Sequence, residues 1–234
     1  MSSDKSVTAH FVEGVAIPDA HLETVLREVL NKPTGNITCD ELAGIEELDL
    51  MDLDIHDLTG LEHCTGLESL ILRGNPFTGA APLSSMALLG WLDVGECPNV
   101  ADWEPISCLE NVWCLQMDYD EIGSDHSHFA LDFLLEMPNL ELLYLPNNHI
   151  TQFTSLLPWS HMLWLEVSDN DLPNLYNLPW MPYLVVLEAS GNQIDTAWLV
   201  PDFPSGPSSR EPCLPSTSAD AGHGQHEALL VLSY

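Results

Sequence analysis

Apolar and polar positions along this chain follow one short motif, written seven times. Leucines alternate with other residues in "IEELDLMDLDI", where Ile45, Leu48 and Leu50 are followed by Leu53 and Ile55. Twenty-two residues on, "LESLILRGNPF" sets Leu67, Leu70, Leu72, Asn75 and Phe77 in the same places. The next coil has Leu89, Leu92, Val94 and Cys97, and the fourth has Val112, Leu115, Met117, Asp120 and Ile122. After a longer interval come Leu140, Leu143, Leu145, Asn148 and Ile150, then Met162, Leu165, Val167, Asn170 and Leu172, then Leu184, Leu187, Ala189, Asn192 and Ile194.

L-x-L alternation predicts a short strand with its leucines turned inward. The polar residue three places later predicts a sharp turn. There the side chains of Asn75, Asn148, Asn170 and Asn192 bond backbone groups of their own coil and of a neighbour, as a structural ladder. An unpaired buried backbone donor costs about 1–3 kcal/mol, which is reason enough for a polar residue in an apolar column. No coil can bury its apolar face alone, so stacking supplies the stability. Leu53, Cys97 and Asp120 stand where asparagine is expected, and the ladder is expected to be least regular there.

The pattern L-x-x-L-x-L-x-x-N-x-I resembles the leucine-rich repeat. The stretch from Ile17 to Leu67, "IPDAHLETVLREVLNKPTGNITCDELAGIEELDLMDLDIHDLTGLEHCTGL", resembles the N-terminal cap and first repeat of bacterial internalin-type proteins. The resemblance spans about residues 17 to 200. It implies an α/β solenoid with short parallel strands on a concave face, an N-terminal helical cap, and one longer coil carrying a convex helix. The expected divisions are an extension at 1–16, a helical cap at 17–44, seven coils at 45–200, and a Pro/Ser-rich disordered tail at 201–234.

In the cap, Asp19 is the expected N-cap of a helix whose Leu22, Val25, Leu26, Val29 and Leu30 share one face, stopped by "NKPTG". In the long coil, Phe129, Phe133 and Met137 are four apart, predicting a short helix. Asp118, Asp120, Glu121, Asp125, His126 and His128 lie nearby, but their spacing matches neither an EF-hand nor a zinc signature, so no metal is expected. Beyond Val200 the template stops. Trp198, Leu199 and Phe203 are candidates to cover the last coil, and "ALLVLSY" either adds a strand or dangles.

Residues alternating with the leucines face the concave side. The first column reads Glu47, Ser69, Trp91, Cys114, Leu142, Trp164 and Val186, and the second Asp49, Ile71, Asp93, Gln116, Tyr144, Glu166 and Glu188. A third holds Met51, Arg73, Gly95, Asp118, Pro146, Ser168 and Ser190. Trp91, Leu142, Tyr144 and Trp164 are large apolar groups with no core reason to lie there, and are expected to be exposed. Together with Asp93, Gln116, Glu166, Val186 and Glu188 they make the candidate partner-binding face, an apolar centre with a charged rim. The competing reading is that they cover one another.

Charge sharpens that reading. The 36 acidic residues face only five basic ones, giving a formal −31, a surface that repels nucleic acid and anionic lipid. Salt adaptation and a basic protein partner both fit. No run approaches the ~18 apolar residues of a membrane span, and "MSSDKSVTAHFVEGV" lacks the pattern of a secretory leader. The six cysteines form no C-x-x-C pair and read as buried free thiols, which leans towards a reducing compartment. No nucleophile elbow, phosphate loop or metalloprotease motif is present, so catalysis is not expected, and neither is a cofactor. Cys114 is expected to have acidic neighbours, and His149 and His161 to be solvated. The expected function is non-catalytic protein recognition by a monomer. Likeness to internalins implies a secreted or surface protein if the chain is a fragment. The alternative is an intracellular scaffold similar to repeat-built phosphatase regulators, cytoplasmic as the chain stands.

Overall fold

The computed structural model describes residues 14–124, 131–153, 159–176, 178–179, 181–194 and 229–231. Each repeat opens with a three-residue strand: β1 Glu47–Asp49, β2 Ser69–Ile71, β3 Trp91–Asp93, β4 Cys114–Gln116, β5 Leu142–Tyr144, β6 Trp164–Glu166 and β7 Val186–Glu188. An eighth, β8 Leu229–Val231, follows in one parallel sheet ordered β1 to β8. The central leucines stay in register throughout: Leu48 pairs with Leu70, Leu70 with Leu92, Leu92 with Leu115, and so on to Leu187. One continuous core runs behind the sheet, filled by these leucines and by the apolar residues of the returning chain, such as Leu83, Ile106 and Met162. The convex side returns through tight 3-10 turns at Leu61–His63, Ala81–Ser85, Glu104–Ile106 and Asp132–Glu136.

The turn after each strand has one construction. The residue before the ladder position takes the left-handed conformation in every coil, at Asp52, Gly74, Glu96, Tyr119, Asn147, Asp169 and Gly191. Glycine adopts it most freely, and aspartate and asparagine, which hold three of these places, more readily than other side chains. The ladder side chain then fixes the turn. Asn75 donates Nδ2–H to Leu50 O and Leu72 O, both at 2.7 Å, and its Oδ1 accepts from Leu53 N and Ile55 N. Asn148 donates to Met117 O and Leu145 O and accepts from Asp120 N and Ile122 N. Asn170 and Asn192 donate in the same way, to Leu145 O and Val167 O of the coil before.

The three departures have separate physical outcomes. Leu53 belongs to the first coil, with no earlier coil whose carbonyls need a donor. Cys97 keeps a weak version of the bond, its Sγ lying 3.5 Å from both Leu72 O and Gly95 O. Asp120 accepts from Cys97 N at 2.6 Å through Oδ1, while its buried Oδ2 has no hydrogen-bond partner.

At the N-terminal end, helix α1 (Ala20–Val29) buries Leu22 and Leu26 in the same core, while Val29 is exposed rather than on the buried face. Its N-cap Asp19 accepts from His21 N and Leu22 N, and through its other oxygen from His56 N and Asp57 N of the first coil. Helix α2 (Cys39–Leu42) carries a capping box between Thr38 and Glu41. Lys32 bonds Glu41, and that bond, with those from Thr38, pulls the exposed carboxyl down to about 2.

In the long coil the expected helix is a 3-10 turn, with Phe133, Leu134 and Met137 buried, and Phe129 lies outside the described residues. Trp198, Leu199 and Phe203 also lie outside them. Of the expected tail, the part described is β8, so three of those residues belong to the sheet.

Candidate functional site: the concave face

Alternation places all nine expected site residues on the strand face turned away from the core, in consecutive register. Trp91 pairs with Cys114, Cys114 with Leu142, Leu142 with Trp164 and Trp164 with Val186; beside them run Asp93, Gln116, Tyr144, Glu166 and Glu188. The spacing of parallel strands, about 4.8 Å, makes large neighbours on one face touch.

That contact corrects the expectation of exposure. Leu142, Tyr144 and Val186 are buried, at 4%, 7% and 8%, and Trp91 and Trp164 are half-buried. Cys114, Leu142 and Tyr144 form a second apolar cluster, separate from the main core, with Trp91, Trp113, Leu163 and Trp164 packed on it. The Tyr144 and Trp164 rings lie 6.1 Å apart and tilted by 32°. These side chains do cover one another in part; Cys114 has aromatic and aliphatic neighbours in this cluster. The indole N–H groups of Trp91 and Trp164 are buried without a hydrogen-bond partner.

Trp113 and Leu163 were not among the expected residues. Each sits one place before its strand, where the alternation does not yet apply. Gly90 makes room for the first: a Cβ there would lie 2.7 Å from Trp113 Nε1. A glycine one coil before a tryptophan was the available signal.

Beside the cluster, Arg73 gathers three carboxylates. Its Nε lies 3.1 Å from Asp93 Oδ2, Nη1 lies 3.0 Å from Glu96 Oε1 and 2.8 Å from Asp118 Oδ2, and Nη2 pairs with Asp118 Oδ1. The bond from Asp118 is the largest reason the guanidinium is held charged. Burial raises the Asp93 carboxyl, and Arg73 opposes that rise. Gly95 leaves room for this arrangement, because a Cβ would sit 2.5 Å from both Arg73 Nη2 and Asp118 Oδ1 and displace the pair. This corner consumes the one cation among the three concave columns and stays net negative. Across the cluster, burial raises the Glu166 carboxyl while the hydroxyl of Ser168 donates to it at 3.1 Å.

The other groups considered for chemistry are dispersed. Asp118 is bound to Arg73, Asp120 is in the ladder, and Asp125, His126 and His128 lie outside the described residues. Half-exposed His149 sits between Glu121 and Asp171, at 3.2 and 3.4 Å, bridging two coils, while His161 is exposed. Among the described residues Cys64, Cys97 and Cys114 are buried free thiols and Cys39 and Cys108 exposed ones; burial pushes Cys64 and Cys97 up to about 12.

No protein-family model matches the chain, and no curated protein matches it in sequence. Solved structures do resemble it. Internalin C2 from Listeria monocytogenes shares 23% identity over 77% of this chain and 78% of its own, with a TM-score of 0.70. Internalin F from the same organism shares 22% identity over 76% of this chain and 77% of its own, with a TM-score of 0.37 that adds nothing to the comparison. The first match, the repeat of 22, the parallel sheet and the asparagine turns identify the chain as a leucine-rich-repeat solenoid of internalin-like fold.

Proposed function

We propose that the chain is a non-catalytic protein-binding module that takes a basic partner on its concave face. The observation behind this reading is the second apolar cluster. A solenoid whose leucines already fill one core has no need of two tryptophans, a tyrosine and a leucine on the opposite strand face. Half-buried rings with Asp93, Gln116, Glu166 and Glu188 along one side have the make-up of an interface centre and its rim. Charge selects the partner. With Arg73 already bound by three carboxylates and the chain at −31, cationic side chains are attracted and anionic ones repelled. Arg and Lys also stack favourably on indole faces. Residues 17–44 then serve as an end cap and 45–200 as the recognition solenoid, acting as a monomer.

A second reading, an intracellular scaffold, is favoured by the five free thiols among the described residues, which suit a reducing compartment. Both readings use the same face.

The test is selection from a displayed random-peptide library at physiological salt. The expected winners are Lys/Arg-rich. The Trp91→Ala/Trp164→Ala double variant should bind them at least about thirtyfold more weakly, since a central tryptophan is worth about 2 kcal/mol or more, while still unfolding in one cooperative urea transition. Winners without basic residues, or equal binding by the double variant, would remove the proposal.

A further inference from the structure

We propose that the outer edge of β7 is an acceptor site for an extended apolar strand, and that the C-terminal segment filling it is exchangeable between copies of this chain. The observation is the last pairing of the sheet. β8 continues the register set by every earlier strand, Leu230 lying opposite Leu187 as Leu187 lies opposite Leu165. Yet it does not arrive as the next coil. Earlier strands begin 22, 23 or 28 residues after the one before, whereas Leu229 stands 43 residues after Val186. The strand is placed by the edge it pairs with, not by the repeat.

An open edge of a parallel sheet presents unpaired N–H and C=O groups, a template for any extended segment of fitting chemistry. Two features say which segment fits. The first is backbone geometry. In each earlier pair the first residue of the later strand donates its N–H to the residue preceding the earlier strand: Ser69 to Glu46 O at 3.2 Å, Trp164 to Glu141 O at 3.1 Å, Val186 to Leu163 O at 3.1 Å. Leu229 holds that place against β7. The second is charge. Residues 228–234, "ALLVLSY", carry none, so they approach an acidic solenoid without the repulsion that any acidic stretch of the chain would meet.

The β7 edge offers the same bonds whichever copy supplies the strand. Three paired residues are a small hold compared with a whole coil. The local concentration set by the connecting chain therefore favours the resident strand, and a second copy's strand competes as protein concentration rises.

The test uses the full chain with Leu229→Pro, which removes the N–H at the pairing position and evicts β8. A fluorescent peptide of residues 228–234 is the probe. The variant should bind it at least about tenfold more tightly than the parent, whose edge is occupied. Two differently labelled parent samples should show energy transfer after mixing at high concentration and lose it on dilution. Val231→Pro is the second variant, and hydrogen exchange of the parent is the readout that needs no variant: the amide of Leu229 should be protected. Peptide binding by neither form, equal binding by both, or an unprotected Leu229 amide would overturn the proposal.

Discussion

Asp120 is the residue whose replacement should stabilise this protein most. It stands in the ladder where Asn148 and Asn170, one and two coils on, each donate an amide N–H to a carbonyl of the preceding coil. A carboxylate has no proton to donate, so the acid fits the ladder only in its protonated form. Oδ1 accepts from Cys97 N, and Oδ2 is buried with no partner. Burial is the main reason the carboxyl is pushed up from 3.8 to about 8; Asp118 and Asp93 add to the rise, while the Cys97 N–H and Arg73 oppose it. The acid is thus neutral in the folded chain at pH 7 and ionised in the unfolded one. Because the folded value lies above the unfolded one, stability is full below about pH 4, falls as pH rises from 4 to 8, and is level above that. At 1.36 kcal/mol per pH unit, the interval from 3.8 to pH 7 corresponds to about 4 kcal/mol. That is a large part of the 5–15 kcal/mol typical of a domain. Asp120→Asn removes the titration and supplies an amide N–H at every pH. Urea unfolding of both proteins at pH 4.5, 6, 7 and 8.5 should give midpoints that nearly coincide at the lowest pH. By pH 7 the variant should lead by about 1–2 M, at a typical slope of 2–3 kcal/mol/M. Comparing the two proteins at each pH cancels the repulsion among the remaining carboxylates. A lead independent of pH, or a variant that unfolds first at pH 7, would refute the reasoning.

Asn148→Leu should act in the opposite sense, stranding Met117 O, Leu145 O, Asp120 N and Ile122 N inside the solenoid. A loss of about 3–5 kcal/mol is expected in chemical unfolding, and a smaller one for Asn192→Leu at the half-buried end of the ladder. Arg73→Met should cost about 3 kcal/mol at pH 7, because buried Asp93 and part-buried Asp118 lose their cation. That deficit should shrink towards pH 4 as buried Asp93, already raised by burial, takes up a proton, an outcome read from thermal unfolding across the same pH series.

The strands were legible because the signals that specify them are local. A leucine every second residue, with an asparagine three places on, fixes strand, turn and facing within eleven residues; even the 28-residue interval before β5 left the register intact. What depends on contact between coils was not legible. Whether Trp91 and Trp164 are exposed is decided by what fills the same column one coil away, and there Cys114 and Leu142 let the rings settle together. Arg73 finds Asp118 across 45 residues of chain, over a glycine that no periodicity distinguishes. The Asp132–Glu136 turn took 3-10 form although Phe129, Phe133 and Met137 were spaced for an α-helix, because spacing reports which side chains face inward and not how tightly the backbone turns. β8 was ambiguous for a related reason: the template says where the next coil should start, and this strand obeys the edge instead.

Departures from the template fall in the first, third and fourth coils, and the fourth also has the long interval. Between β4 and β5 the ladder residue is an acid, Tyr119 and Glu121 both hold the left-handed conformation, and the interval to the next strand is the longest of the first six. Natural sequences keep local preference and global fold in agreement, and depart from it where a site demands otherwise. The same coil supplies Trp113 and Cys114 to the apolar cluster and Asp118 to the Arg73 corner. Ladder and concave columns run along different lines of the solenoid, so a first- or second-column residue can change without disturbing a turn. Every coil sets a third-column residue before its left-handed position and a ladder residue after it, and in this coil both are acids, Asp118 and Asp120. The coil that lends Trp113, Cys114 and Asp118 to the concave side is therefore also the one that bears the cost of a buried acid in its ladder.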